Sequence, residues 1–146
     1  MVENKTKKKV KPLRKPLKGE MYEVVFTDKF NRTFDQIKDS ISSDAEKNNL
    51  NKCLKHIEEF ANYGHSVVCN HQFRDEGLYT VDKTQIQLFA AKDGKGNIRI
   101  YCGIEVKNKK ALPYFYLDEV LKKKQQKPIK GSLQHIAERI ARNRRN

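Results

Sequence analysis

The sequence lacks any uninterrupted apolar run that approaches the roughly 18 residues of a membrane span. Its N-terminus is basic, but no apolar stretch follows, so we predict neither a membrane segment nor a secretory signal. Hydrophobic residues make up only 37% of the chain, yet seven Phe and six Tyr supply material for a core. A chain of 146 residues has room for one domain and a tail.

Cysteine is scarce and irregularly placed. The three residues, Cys53, Cys69 and Cys102, are odd in number and widely spaced, and no CxxC pair occurs. This pattern argues against a disulfide framework and fits a reducing cytoplasm. Cys69 and His71 could join a distant ligand in a zinc site, but isolated residues are the favoured interpretation, and we predict no metal and no cofactor.

Acidic residues are rare at both ends of the chain. Residues 1–20 hold eight Lys or Arg and two Glu, and residues 122–146 hold nine Lys or Arg and one Glu, whereas the region between them has 14 basic and 15 acidic residues. The net charge of +13 therefore lies in the two ends, which favours a polyanionic partner such as RNA or DNA. The alternative is a basic surface that only interacts with solvent.

The first of these basic ends also has nothing to bury. Residues 1–20 combine charge repulsion with Pro12 and Pro16, which is typical of a disordered segment. We therefore predict a disordered basic arm over residues 1–20 and a single domain over residues 21–146.

Two helices are predicted after a first short strand that begins at Tyr22. Apolar residues recur at helical spacing over residues 30–41 and again over residues 50–61. Ser43 begins a capping-box pattern for the second helix, and Gly64 marks its end. Because the join between them is short, we predict an antiparallel helical hairpin.

The rest of the domain is predicted to be a small sheet and a last helix. Strands are predicted at 77–81, 86–90 and 98–106, and 112–120 is a further strand candidate whose C-terminal part could also be helical. Ser132 is the predicted N-cap of the last helix. The predicted order is β-α-α-β-β-β-α, an α+β fold with a helical hairpin packed on a small antiparallel sheet and a C-terminal helix.

Several segments carry a resemblance to a known family. Gly77-Leu78-Tyr79 resembles the start of the family's G-L-Y-E-L-R strand, and Ile98-Arg99-Ile100-Tyr101 resembles its R-x-x-Y or R-I-x-Y strand. The segment 114–123 is similar to its apolar strand that leads to a Lys pair, and 122–128 is similar to a K-K-T-Q-K-T-P segment. In the family this segment is followed by a helix with an internal Ala and Arg, and Ala137 and Arg139 resemble these residues here. The family is the RelE/HigB-like toxins, in particular the phage-associated HigB-like branch.

This resemblance implies a function as well as a RelE-like fold. It implies the toxin of a type II toxin-antitoxin system, a metal-independent and ribosome-dependent mRNA endoribonuclease whose partners are ribosome-bound mRNA and a cognate antitoxin. The alternatives are a non-catalytic nucleic-acid-binding module and a ParE-like diverged member of the same fold.

The candidate site follows from the strand at 98–106. Ile98 and Ile100 alternate with Arg99 and Tyr101, so we expect the latter two on the polar face. Arg99 is the candidate phosphate clamp, since its planar fork suits phosphate oxygens, and Tyr101 could stack on a base or donate a proton. The other candidates are Lys122, Lys123 and His71 for catalysis, and Arg74, Lys124, Lys127, Arg139 and Arg142 for binding nucleic acid.

Overall fold

A computed structural model describes residues 21–64, 73–92, 98–122 and 130–143, without the side chains of Lys122 and of residues 130–132. These residues form eight elements. The strands are β1 (Glu23–Phe26), β2 (Phe73–Val81), β3 (Thr84–Lys92), β4 (Ile98–Lys107) and β5 (Lys110–Lys122). The helices are α1 (Asp28–Ser40), α2 (Asp44–Tyr63) and α3 (Lys130–Arg142).

The five strands form one sheet in the order β1-β5-β4-β3-β2. β1 pairs with β5 in parallel, and the remaining pairs are antiparallel. The predicted α+β class is therefore confirmed, but the predicted order was one strand short. Residues 110–122 are a strand throughout, so the helical alternative for the end of this segment was wrong.

Each face of the sheet is covered by different helices. On one face, the apolar sides of α1 and α2 pack on alternate strand residues, including Ile98, Ile100 and Phe115. On the other face, α3 packs through Ile136, Ala137 and Ile140 on strand residues that include Tyr101 and Tyr116. The alternation along β4 thus assigns its successive side chains to two separate cores.

The helix ends follow the sequence pattern. The Ser43 hydroxyl accepts a hydrogen bond from the Glu46 amide at 3.1 Å, and the Glu46 carboxylate accepts one from the Ser42 amide at 3.2 Å. This confirms the capping box, with the return bond made to the residue before the cap. α2 ends at Tyr63, and Gly64 has φ of +60°, a conformation that favours glycine.

α3 crosses the sheet from β2 to β5. Near its start the Gln134 amide donates to the Thr80 carbonyl at 3.2 Å, and further along Ile140 packs over Gly103. A Cβ at Gly103 would lie 2.8 Å from the Gln87 carbonyl oxygen and 3.1 Å from Ile140 Cδ1, so the helix approaches closely because β4 has no side chain there. α3 begins at Lys130, two residues earlier than the predicted cap at Ser132, because the helical pattern alone does not fix where a helix starts.

None of the helices in the described part of the chain is long and apolar enough to cross a membrane. The buried thiols Cys53 and Cys102 donate to main-chain carbonyls of Ile98 and Phe89. Both thiols therefore lie within the sheet core as packed side chains. The predicted arm at residues 1–20 and the third cysteine, Cys69, lie outside the described residues.

Candidate nucleic-acid interface

Arg99 and Tyr101 lie on the face of β4 that α3 covers. Ile98, Ile100 and Cys102 are buried against α1 and α2, and Tyr101 is buried in the α3 core. Arg99 shares the face of Tyr101 because strand side chains alternate. The predicted division between the two faces is confirmed, because Ile100 is fully buried on one face and Arg99 lies on the other. The face of Arg99 is less polar than predicted, since Arg99 is half-buried and Tyr101 is buried.

Three cationic residues share this face of the sheet. β3 pairs Lys92 with Arg99, and β2 pairs Arg74 with Ala90, the residue that lies opposite Tyr101. Arg74 is exposed, and Lys92 and Arg99 are half-buried. We call Arg74, Lys92 and Arg99 the cationic patch. Neighbouring strands lie about 4.8 Å apart, so the three charges occupy a small area in which a phosphodiester could contact more than one of them.

Lys92 is a member of this patch that the sequence analysis missed. The signal was available, because Ile86, Leu88 and Ala90 alternate on β3 and Lys92 is the next position in that series. The pairing of Lys92 with Arg99 depends on the register between β3 and β4, which the sequence alone does not reveal.

One donor of the Arg99 guanidinium makes no hydrogen bond within the described residues. That donor is the buried Nε, whereas the Arg99 side chain also interacts with the side chain of Tyr101. A buried polar group without a partner costs about 1–3 kcal/mol, more if it is charged. Because guanidinium donors match phosphate oxygens in geometry, this nitrogen is suited to an oxyanion that is brought by a ligand.

Tyr101 lies deeper than the sequence predicted. It is 1% exposed, packed beneath α3, so its ring has no open face on which a base could stack. Burial raises the pKa of Tyr101, and the neighbouring Arg99 side chain acts in the opposite direction. The hydroxyl therefore stays protonated at neutral pH and can serve as a hydrogen-bond donor; its part in catalysis stays a prediction.

A bulge in β2 adjoins the cationic patch. The register shifts between Asp75 and Gly77, and Gly77 has φ of +108°. The Asp75 carboxylate stabilises the bulge by accepting hydrogen bonds from the Gly77 amide at 2.9 Å and from the Gln87 side chain. Glu76, at the bulge, contributes to the raised pKa values of Tyr79 and Tyr101, so its negative charge lies near this part of the sheet.

Arg139, a predicted nucleic-acid-binding residue, forms ion pairs with β5. Its Nε and Nη2 lie 3.0 and 2.9 Å from Asp118 Oδ2, and Nη2 lies 3.2 Å from Glu119 Oε1. Lys29 lies 3.8 Å from the other Glu119 oxygen. Arg139 thus ties α3 to β5; a role in binding nucleic acid stays a prediction.

Asp118 is fully buried at the point where three elements meet. β5 has an extra residue here, since Tyr101 pairs with Glu119 and Cys102 with Leu117. The Thr27 hydroxyl, which caps α1, lies 3.2 Å from Asp118 Oδ1. Burial raises the pKa of Asp118, while Arg139 and Thr27 act to lower it.

The remaining candidates are partly outside the described chain. Arg142 is exposed in the last turn of α3. Lys122 ends β5, and its backbone pairs with Ile98, next to the pair formed by Leu121 and Arg99. Its side chain is not described, and four candidates lie outside the described residues altogether: His71, Lys123, Lys124 and Lys127.

No group of three His, Cys, Asp or Glu side chains forms a metal site within the described ranges. Comparisons with protein-family models and with curated proteins found no match to this chain. What it does is therefore inferred from its own residues.

Proposed function

We propose that the protein is the toxin of a type II toxin-antitoxin system, acting as a metal-independent, ribosome-dependent mRNA endoribonuclease of the RelE/HigB type. The observation that carries the proposal is the buried Arg99 Nε, which has no acceptor among the described residues and lies in one patch with Arg74 and Lys92. Its substrate is single-stranded mRNA, and its cognate partner is an antitoxin.

The coarse architecture supports this proposal. A helical pair covers one face of a mostly antiparallel sheet, and a C-terminal helix crosses the other. The segments whose sequence resembles the family, Gly77-Leu78-Tyr79 and Arg99-Ile100-Tyr101, lie on two strands that flank β3. The RelE-like assignment of this arrangement is part of the proposal.

The proposed cleavage reaction depends on cationic side chains more than on carboxylates. The 2′-hydroxyl oxygen bonds to phosphorus while the bond to the 5′-oxygen breaks, which leaves a cyclic phosphate and a free 5′-hydroxyl. Arg99 would bind the phosphate oxygens and stabilise the negative charge that develops on them. A base takes the hydroxyl proton and an acid supplies one to the leaving oxygen; His71, Lys122 and Lys123 are the candidates for these steps, with Tyr101 as a donor.

The burial of Tyr101 favours a second candidate, a non-catalytic nucleic-acid-binding module or a ParE-like relative. Within the described residues, the cationic patch offers strong binding groups, while the tyrosine beside it is covered by α3. Such a protein would bind RNA or DNA through the patch and the basic ends without cutting it.

The test is transcript cleavage in a translating extract, with the parent protein, Arg99→Ala and Arg32→Ala. Arg32 is exposed on α1, so its loss removes the same charge from a different surface. We expect Arg99→Ala to slow cleavage by about 10²–10³-fold and Arg32→Ala to have little effect. If the parent protein does not cleave actively translated mRNA, the enzyme is excluded, and salt-dependent binding by the parent would then identify the binding module.

A further inference from the structure

Glu119 lies on the same face of the sheet as the cationic patch. The register pairs Glu119 with Tyr101 and Leu121 with Arg99, so Glu119 and Arg99 are diagonal neighbours on adjacent strands. Such neighbours are about 7–8 Å apart, within reach of long side chains. A glutamate and an arginine in this relation can form an ion pair, and that pair would occupy the donors of Arg99.

Glu119 is bound to other cations instead. Arg139 lies 3.2 Å from one of its oxygens and Lys29 lies 3.8 Å from the other. Arg139 is itself fixed by Asp118, which is fully buried and lies 2.9 Å from the same Arg139 nitrogen. The carboxylate of Glu119 is thereby directed toward α3 and α1.

We propose that Arg139 is a positioning residue for Arg99: by holding Glu119, it prevents this carboxylate from competing with RNA phosphate for the Arg99 guanidinium. The inference rests on the proposed function, because it assumes that Arg99 binds phosphate. In this role Arg139 touches neither RNA nor the reacting atoms. Its effect on the site passes through Glu119, and this separates it from a residue that only stabilises α3.

The experiment must release Glu119 without leaving Asp118 as an unpaired buried charge. Asp118→Asn is therefore the background, since the amide keeps the shape of the side chain and an acceptor for Thr27. On this background we compare Arg139→Met, Glu119→Gln and the two changes together. The probes are a fluorescein-labelled oligouridylate for RNA binding at fixed ionic strength, and the NMR signal of the Arg99 Nε–H group, identified by its loss in Arg99→Lys.

We expect Arg139→Met to weaken oligouridylate binding about tenfold and to shift the Arg99 Nε–H signal as Glu119 takes up that donor. Adding Glu119→Gln should restore both the affinity and the signal. Glu119→Gln without the Arg139 change should leave the Arg99 Nε–H signal at its position in the Asp118→Asn protein. Circular dichroism and thermal melts of the four proteins report whether each is folded.

Two results would overturn the inference, and they differ in what they say about the proposed function. In the first, adding Glu119→Gln restores neither the affinity nor the Arg99 signal, while Arg99→Ala in the otherwise unchanged protein abolishes binding. Arg139 is then only structural, and the proposed site stands. If Arg99→Ala binds the oligouridylate as well as the parent protein does, the phosphate site and the inference both fail.

Discussion

The two faces of the sheet are built from different side chains. On the face covered by α1 and α2, the Phe60 ring lies 5.2, 5.3, 5.0 and 4.8 Å from four aromatic neighbours, which are Tyr22, Phe73, Phe89 and Phe115. On the face covered by α3, the buried cluster of described residues combines aliphatic side chains with Ala90, Ala137 and Ala141 and contains Tyr101 and Tyr116 but no phenylalanine. The α3 face also borders the buried Asp118 and the ion pairs of Arg139.

This difference shows which face can hold a site. The side chains of the aromatic face are closely packed, so replacing one of them by a smaller residue leaves a cavity. The α3 face carries the exposed Arg74 and the half-buried Lys92 and Arg99, while its centre is packed against α3. The following changes test this division, beginning with the largest expected loss of stability.

Phe60→Ala should cost the most. The substitution removes a fully buried ring from contact with four others, so we expect a loss of about 3–5 kcal/mol in the free energy of unfolding. Urea unfolding measures this loss. Phe60→Leu, which keeps most of the volume, is the control and should cost clearly less; a loss below about 1 kcal/mol for the alanine variant would contradict the assignment of this face as the main core.

Arg139→Ala should cost about 3 kcal/mol at neutral pH, because it leaves Asp118 buried and charged without its partner. The pKa of Asp118 is already raised, and the loss of Arg139 raises it further. The folded state then binds a proton that the unfolded state releases, so the variant loses stability as the pH rises and regains it below the ordinary pKa of aspartate, about 3.9.

The measurement for Arg139→Ala is unfolding by urea across this pH range, beside the parent protein and Asp118→Asn/Arg139→Ala. The deficit of the single variant should shrink on acidification, and the double variant should be less sensitive to pH. A deficit that stays constant with pH would show that Arg139 stabilises α3 by packing alone.

The faces of β4 could be predicted from the sequence, since strict alternation over 98–106 separates Ile100 from Arg99 without knowledge of the fold. The helical stripes and the cap at Ser43 were predictable for the same local reason. The burial of Tyr101 could not be predicted, because alternation assigns a side chain to a face but does not show whether a distant helix covers that face.

The ion pairs of Arg139 were also beyond a local pattern. Arg139 and Asp118 are brought together by the crossing of α3 over β5, and the sequence suggested only a basic helix end. The one available signal was Asp118-Glu119 inside an otherwise apolar strand, since buried carboxylates need a partner. The predicted order contained one strand too few, although 112–120 was a strand candidate, because the end of that segment also fits a helix.

Gly103→Ala tests how closely α3 must approach the sheet. The new Cβ would lie 2.8 Å from a backbone oxygen of β3 and 3.1 Å from Ile140, so strand and helix would have to separate slightly. We expect a loss of about 1–3 kcal/mol, measured by thermal or urea unfolding. Ile140→Val on the same background should recover only a small part, because the nearest contact is with the backbone; full recovery would mean that the helix side chain alone sets the limit.

Arg99→Ala should have the smallest effect on stability. Arg99 is half-buried, faces Lys92 across the strands and holds a buried donor without a hydrogen bond among the described residues. The interaction with Tyr101 that truncation removes is therefore partly offset by the removal of these unfavourable features. We expect a change within about 0.5 kcal/mol. Ile100→Ala, one residue along on the aromatic face, should instead cost about 2–5 kcal/mol through a core cavity. Melts of both variants give the comparison directly. If Arg99→Ala were as destabilising as Ile100→Ala, Arg99 would belong to the scaffold, and its loss of RNA cleavage or binding could no longer be assigned to the site.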